Sequence, residues 1–281
     1  MKTLLETLQG GTKYLERRGV EEARLNMEYL LAQVLQCERM ELYLEFDRSM
    51  PEEELVPLRD LLRRRGAREP LQHLLGSVEF CGRSFASDAR ALIPRPETEE
   101  LVGILLSRFA EGMQPAAIAD VGCGSGVIGL SLGLEWQHST VTLTDLSADA
   151  LALARENAER LEIDSQRLCF IQGDLLAGIA EVFDLVVANL PYVSTGEISG
   201  LAPELRHDPV QALDGGASGT QIIERLVHEL PGKMSQGGML ALEFGEGQGE
   251  NLACMLSGAE FNECDLVKDI TGVDRFILAT C

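Results

Sequence analysis

The chain predicts an α/β fold: a mostly parallel sheet covered on both faces by helices, joined to an N-terminal helical bundle through a β-hairpin linker. Three observations carry this. From Ala116 onward, short apolar runs of strand length alternate with segments of helical period. Residues 1–75 show helical spacing without a strand pattern. Residues 76–91 change to an alternating pattern around a glycine.

In order, Glu21 to Cys37 places Leu25, Tyr29, Leu30, Ala32, Val34 and Leu35 at helical spacing. Ser49-Met-Pro-Glu52 reads as a capping box with Pro51 in the first turn. The helix it opens runs through Leu55, Leu58, Leu61 and Leu62 and stops near Gly66. Val78-Glu-Phe80, Cys81-Gly82-Arg83 and Ser84-Phe85 form the hairpin. Ile93-Pro94-Arg95-Pro96 forces an extended turn, and Glu97-Thr98-Glu99-Glu100 starts a helix ending near Phe109, its acids favoured by the dipole. Strands follow at Ala116–Val121, Thr140–Thr144, Leu168–Gln172, Phe183–Ala188 and Gly238–Phe244. Helices fall at Val127–Leu134, Ala148–Leu161 and Gln221–Leu230, and Leu266–Ile270 with Arg275–Ala279 closes the chain as an edge hairpin. The organisation is therefore a helical domain over 1–75, a linker over 76–91 and a sheet domain over 92–281. Ligands of such sheets bind beyond the carboxyl ends of the strands.

Composition narrows the function. The chain has 281 residues, 45% of them hydrophobic, enough for a substantial core. No run of about 18 apolar residues free of charge occurs, so no membrane partner is expected. Met1 to Gly10 carries Glu6 and lacks a signal-type apolar core, so export is not expected. Seven scattered cysteines without a Cys-x-x-Cys pair indicate free thiols in a reducing cytoplasm and no metal site. A monomer is the default. The net charge of −21 is unevenly spread: residues 1–72 hold 12 basic against 14 acidic side chains, so nearly all the excess lies beyond them. Such a field repels phosphates and argues against a direct nucleic acid partner. Only Arg59, Arg63, Arg64, Arg65 and Arg68 form a basic run, either a solvated helix face or a contact patch for a partner.

Asp120-Val121-Gly122-Cys123-Gly124-Ser125-Gly126 sits between the first sheet strand and its helix. Its glycines allow close backbone approach to a ligand and a sharp turn into the helix. The spacing departs from the dinucleotide fingerprint, with Val127 where the third glycine would stand, and no Gly-Lys-Ser/Thr follows. Asp120 would repel a pyrophosphate but could attract a sulfonium or ammonium group, directly or through water. Asp145 ends the second strand, where a carboxylate can accept both hydroxyls of a ribose. Asp174 follows the third strand, placed to accept from an adenine amine while Leu175 covers the ring. Any one of these acids alone reads as a loop charge or a helix cap. Three at successive strand ends beside a glycine loop fit an adenosine that carries a cation and no phosphate, which is S-adenosyl-L-methionine.

Asn189-Leu190-Pro191-Tyr192 ends the apolar run Asp184–Ala188. A planar amide or aromatic amine shares its lone pair with a π-system and attacks poorly. Two hydrogen-bond acceptors on its N–H groups orient it and favour pyramidal geometry as a bond forms. The side-chain oxygen of Asn189 offers one acceptor, and the carbonyl of Leu190 the second. Pro191 stiffens the turn and Tyr192 walls the planar group. In isolation the tetrapeptide would read as a capped strand-end turn.

At this point the chain resembles the HemK-type protein-(glutamine-N5) methyltransferases that modify peptide chain release factors. The likeness covers nearly the whole chain. It rests on Arg68-Glu-Pro-Leu-Gln-His-Leu-Leu-Gly76, Glu79-Phe-Cys-Gly-Arg-Ser-Phe85, Leu92-Ile-Pro-Arg-Pro-Glu-Thr-Glu99, Asp120 to Gly126, Asn189 to Tyr192, Asp208-Pro-Val-Gln-Ala-Leu213, Leu242-Glu-Phe-Gly245 with Gln248, and Gly272-Val-Asp-Arg275. The resemblance implies the seven-stranded S-adenosylmethionine-dependent methyltransferase fold, with S-adenosyl-L-homocysteine as coproduct. It implies methylation of the glutamine amide in a release factor's Gly-Gly-Gln motif. Gly122 to Gly126, Asp145, Asp174, Leu175 and Asn189 would contact cofactor, and Asn189 to Tyr192 would hold the glutamine. Arg95 and Glu97 would shape the mouth of the site, and the helical domain would grip the release factor. One position departs: the family's Asn-Pro-Pro-Tyr has Leu190 here, so one conformational lock is lost. Asn-Leu-Pro-Tyr also resembles the motif of ribosomal RNA adenine-N6 dimethyltransferases. That leaves RNA or DNA adenine methylation as an alternative, beside a catalytically silent S-adenosylmethionine-binding module.

Overall fold

A computed structural model describes residues 2–281 apart from Glu111, Met113 and Glu260. The chain divides into two units, one comprising the residues up to Ser77 together with Ala202–His207, the other Val78–Leu201 with Asp208–Cys281.

The first unit is helical: α1 (Leu4–Arg17), α2 (Ala23–Leu35), α3 (Glu52–Gly66) and α4 (Leu71–Leu75). Leu4, Leu8, Leu15, Met27, Leu30, Leu31 and Leu58 bury its core. The capping box expected at Ser49 is absent. The N-cap of α3 is Pro51, which brings no side-chain cap, while Ser49 pairs with Thr3 in a short antiparallel bridge. A genuine box caps α1, where Thr3 accepts from the Glu6 N–H and the Glu6 carboxylate accepts from the Thr3 N–H. The basic run is neutralised within this unit. Arg59 pairs with Glu52, Arg63 with Asp60, Arg64 with Glu69, and Arg65 and Arg68 with Glu204 at 3.2 and 2.8 Å.

In the second unit β1 (Ser77–Phe80) and β2 (Arg83–Ala86) form the hairpin. Cys81 and Gly82 both take positive φ, the two-residue turn whose twist suits a hairpin. Then follow α5 (Pro96–Arg108), β3 (Ala117–Val121), α6 (Val127–Glu135), β4 (Thr140–Asp145), α7 (Ala148–Arg160), β5 (Leu168–Gln172), β6 (Phe183–Asn189), α8 (Gln221–Glu229), β7 (Met234–Glu243), α9 (Gly249–Ser257), β8 (Glu263–Lys268) and β9 (Asp274–Thr280). The seven sheet strands run in the order β5-β4-β3-β6-β7-β9-β8. All are parallel except at β9, which runs antiparallel to both neighbours. Alternate residues feed opposite faces. Ile118, Leu185 and Val187 pack with α5 and α6 residues such as Leu101, Leu105 and Leu130; Ala119, Val186 and Ala188 pack with α8 and α9 residues such as Leu226 and Leu252. β3 lies between β4 and β6, so the winding direction reverses there. The crevice this opens at the carboxyl ends of β3 and β6 is where a sheet of this kind holds its ligand. Among the described residues, no helix is long and apolar enough to cross a membrane.

Candidate active site

The glycine loop after β3 is shaped by three residues that need the left-handed region: Gly122, Gly124 and Gly126, at φ 68°, 54° and 80°. The Gly124 N–H donates to Asp145 Oδ2 at 2.9 Å, and the Ser147 N–H to Asp145 Oδ1 at 2.8 Å. Each oxygen keeps further acceptor capacity. Burial pushes the Asp145 carboxyl up, against three backbone donors that hold it down. Asn157 of α7 fastens the back of the loop: its amide donates to the Ser125 carbonyl at 2.9 Å, while its oxygen accepts from the Ala86 N–H at 2.6 Å.

A cleft beyond the strand ends is lined by Gly122, Gly124, Asp145, Asp174, Leu175, Asn189, Leu190 and Pro191 of the sequence-derived set. Leu146, Ile222 and Arg225 are also in its wall. Leu175 holds a positive φ of 51°, a conformation that is strained for a leucine and typical of functional sites. The Asp174 carboxylate accepts from Arg225 at 2.6 Å.

Other expected residues stand elsewhere. Asp120 is 1% exposed, and its carboxylate accepts from the Gly129 N–H at 2.8 Å in the first turn of α6. Burial, opposed by that bond, pushes it up to about 7. Its structural partner is thus a helix N-terminus. Cys123 and Ser125 are buried within the loop, and Gly126 is the N-cap of α6, where an added Cβ would fall 3.0 Å from Leu130 and 3.1 Å from Ala154. Arg95 stands at the N-cap position of α5 without a side-chain cap, and Glu97 lies in the first turn of that helix. Neither lines the cleft, but both act electrostatically on Tyr192, whose hydroxyl burial pushes up to about 12. Tyr192 instead borders a second, shallower depression with Gly196, Gly245 and Gln248.

The turn after β6 is braced from several sides. Leu190 is 3% exposed, and a Cβ built on Gly122 would lie 2.7 Å from its Cδ2, so the leucine occupies the space that glycine leaves. Gln248 donates to the Tyr192 carbonyl at 2.9 Å. Gly215 has no room for a Cβ, which would fall 2.6 Å from the Pro191 carbonyl oxygen and 2.3 Å from that of Gly219. The Asn189 amide donates to Thr98 Oγ1 at 3.0 Å, and Thr98 donates to Glu243 at 2.8 Å. With its N–H so engaged, Asn189 leaves its oxygen for a ligand. The two motifs thereby meet in one cleft, a carboxylate-lined adenosine-type site on one side and an amide acceptor on the other.

Residues 6–76 match the PrmC N-terminal domain and residues 102–268 the methyltransferase small domain. The chain is 39% identical over 277 residues to a release factor glutamine methyltransferase of Geobacter sulfurreducens, covering 98% of this chain and 95% of that protein. It is 38% identical over 276 residues to one of Deinococcus radiodurans, covering 98% of each. The chain belongs to the release factor glutamine methyltransferase family. In fold alone, this family member is similar to the hMettl16 catalytic domain solved in complex with MAT2A 3'UTR hairpin 6, with a TM-score of 0.59 at 14% identity over 79% of this chain and 81% of that one.

It is an S-adenosylmethionine-dependent methyltransferase, and its cleft suits that cofactor. Asp145 presents acceptors for vicinal hydroxyls, Gly122 and Gly124 bring bare backbone to the wall, and Leu146, Leu175 and Ile222 offer apolar surface for a purine. The sequence reading missed the bracing set. Thr98 and Glu243 lie in segments that carry the family resemblance, yet only the fold joins them to Asn189. For Gly215 and Asn157, no motif signalled a role.

Proposed function

We propose that this enzyme methylates the side-chain amide nitrogen of the glutamine in the Gly-Gly-Gln motif of a peptide chain release factor. The observation that carries the reading is the Asn189 turn, in the wall of the cofactor cleft, with its amide nitrogen donating to Thr98 and its oxygen left for a ligand. The bound cofactor supplies an electrophilic methyl on sulfur. Asn189 Oδ1 and the Leu190 carbonyl accept from the two N–H groups of the glutamine amide and hold its nitrogen toward that methyl. As the N–C bond forms the S–C bond breaks, leaving a neutral thioether, S-adenosyl-L-homocysteine. The protonated amide then loses its extra proton to water, so no strong base is needed. Tyr192 walls the glutamine, Arg95 and Glu97 set the field at its ring, and the helical region over residues 1–75 grips the release factor. The acidic surface disfavours an RNA or DNA acceptor. All seven cysteines are free thiols, which suits an enzyme of the reducing cytoplasm.

The test incubates the enzyme with labelled S-adenosylmethionine and purified release factor, either wild type or with the target glutamine replaced. Label should enter the wild type alone. Label on both forms, or on neither, would sink the assignment.

A further inference from the structure

Asn189, Thr98 and Glu243 form a short buried chain with a defined polarity. Asn189 ends β6 and pairs with Glu243 at the end of β7, while Thr98 sits in the first turn of α5. Thr98 and Glu243 are 2% and 1% exposed, so bulk water does not compete within the chain. A carboxylate can only accept. Thr98 must therefore donate to it, and its oxygen is left to accept from Asn189. An amide whose nitrogen is held in this way must turn its oxygen the other way. Nothing in the shape of an asparagine imposes that choice, because its oxygen and nitrogen are nearly the same size.

We infer that Glu243 and Thr98 are positioning residues: the Glu243 carboxylate, acting through the Thr98 hydroxyl, fixes which end of the Asn189 amide faces the methyl acceptor. The inference rests on the proposed role of Asn189 as acceptor for the substrate N–H. A protonated Glu243 can donate to Thr98, whose hydroxyl can then donate to the Asn189 oxygen. The amide flips and points N–H groups at the N–H groups it should receive. Burial pushes the Glu243 carboxyl up to about 7, with Glu97 adding to the rise, while the Thr98 hydrogen bond, the positive charge of Arg275 and the nearby Asn189 amide oppose it. Tyr192 also feels its field. The second oxygen, Oε1, makes no hydrogen bond among the described residues, so the Thr98 link is the contact that registers the protonation state. Methyl transfer should accordingly rise with pH through about 7.

The experiment compares full-length wild type with Glu243→Gln, Thr98→Val and Thr98→Ser. Glu243→Gln preserves shape but can donate as well as accept. Both Glu243→Gln and Thr98→Val should lower kcat about tenfold or more. The Kd for S-adenosylmethionine, measured by calorimetry, should stay within about twofold, as should kcat in Thr98→Ser, which restores the hydroxyl. The acid limb of the kcat profile should vanish in Glu243→Gln. Wild-type kcat in Glu243→Gln with the limb intact would overturn the inference. A second readout is independent of substrate. The 15N side-chain amide signals of Asn189, assigned by their loss in Asn189→Ser, should shift on titration through about 7 in wild type and stay still in Glu243→Gln. Signals that do not titrate in wild type overturn the inference even if glutamine is methylated. A wild type that titrates but leaves release factor unlabelled overturns the substrate reading alone.

Discussion

At the ends of β3 and β4, a backbone N–H of the glycine loop meets the Asp145 carboxylate 21 residues further along. Loop and acid come from one strand-helix-strand unit, and their geometry follows from three glycine dihedrals and a strand terminus. At the end of β6 the arrangement is different. Asn189 is held by Thr98, 91 residues earlier, which is itself held by Glu243, 145 residues later. The following carbonyls are packed by Gly215 and bonded by Gln248. The glycine-loop corner of the cleft is a local construction and the acceptor side a convergence of distant segments. The first shapes a surface for binding. The second fixes an orientation, which needs constraint from several directions because a single amide rotates freely about its last bond.

Substitutions should separate the two sides. The largest effect is expected for Asn189→Ala: kcat falls on the order of 10²-fold, the usual loss when one transition-state hydrogen bond is removed, while the calorimetric Kd for S-adenosylmethionine barely moves. An equal loss in Kd would merge the two sides into one. Asp145→Asn should do the reverse, weakening cofactor affinity about tenfold through loss of a charge-assisted acceptor and leaving kcat at saturating cofactor nearly intact. The smallest effect should come from Gly215→Ala, where overpacking against two carbonyl oxygens costs about 1–3 kcal/mol. It should show as a lower melting temperature and a severalfold drop in kcat. Unchanged kcat in a destabilised Gly215→Ala would show that the brace supports the fold and not the turn.

The same contrast explains what could be read from the sequence. The sheet strands and their intervening helices announce themselves, because each carries its own apolar period; β5, at Leu168–Gln172, has the expected ends. α9 escaped, since Gly249 and Ser257 at its ends look like loop residues and its buried Leu252 and Leu256 are only two. β7 begins at Met234 rather than Gly238, before a register irregularity against β6. Ser49 has the capping-box spacing and makes no cap, because its backbone is drawn into a bridge with Thr3. In the site, Asp145 and Asn189 were legible as strand-end polar residues. The sequence sets Asp120 where it could attract a cationic group directly or through water; in the structure its carboxylate is buried and accepts from Gly129 in the next helix. Local pattern says that an acid stands at a strand end but not which neighbour it meets. Thr98 and Glu243 are ordinary residues in their own neighbourhoods, and only strand pairing makes them partners of Asn189.

Leu190 and Gly122 hold one volume between them. The leucine where relatives of the resemblance carry proline lies where the first Cβ of a larger residue at position 122 would fall. The two loops consequently cannot drift independently in sequence. A side chain gained at 122 would meet the tip of Leu190 and would also have to hold φ 68°, so shortening residue 190 relieves the contact but not the backbone strain, and a double-mutant cycle across this pair should be non-additive by the contact alone. A designer wishing to reshape the acceptor turn inherits the glycine loop as part of the same decision.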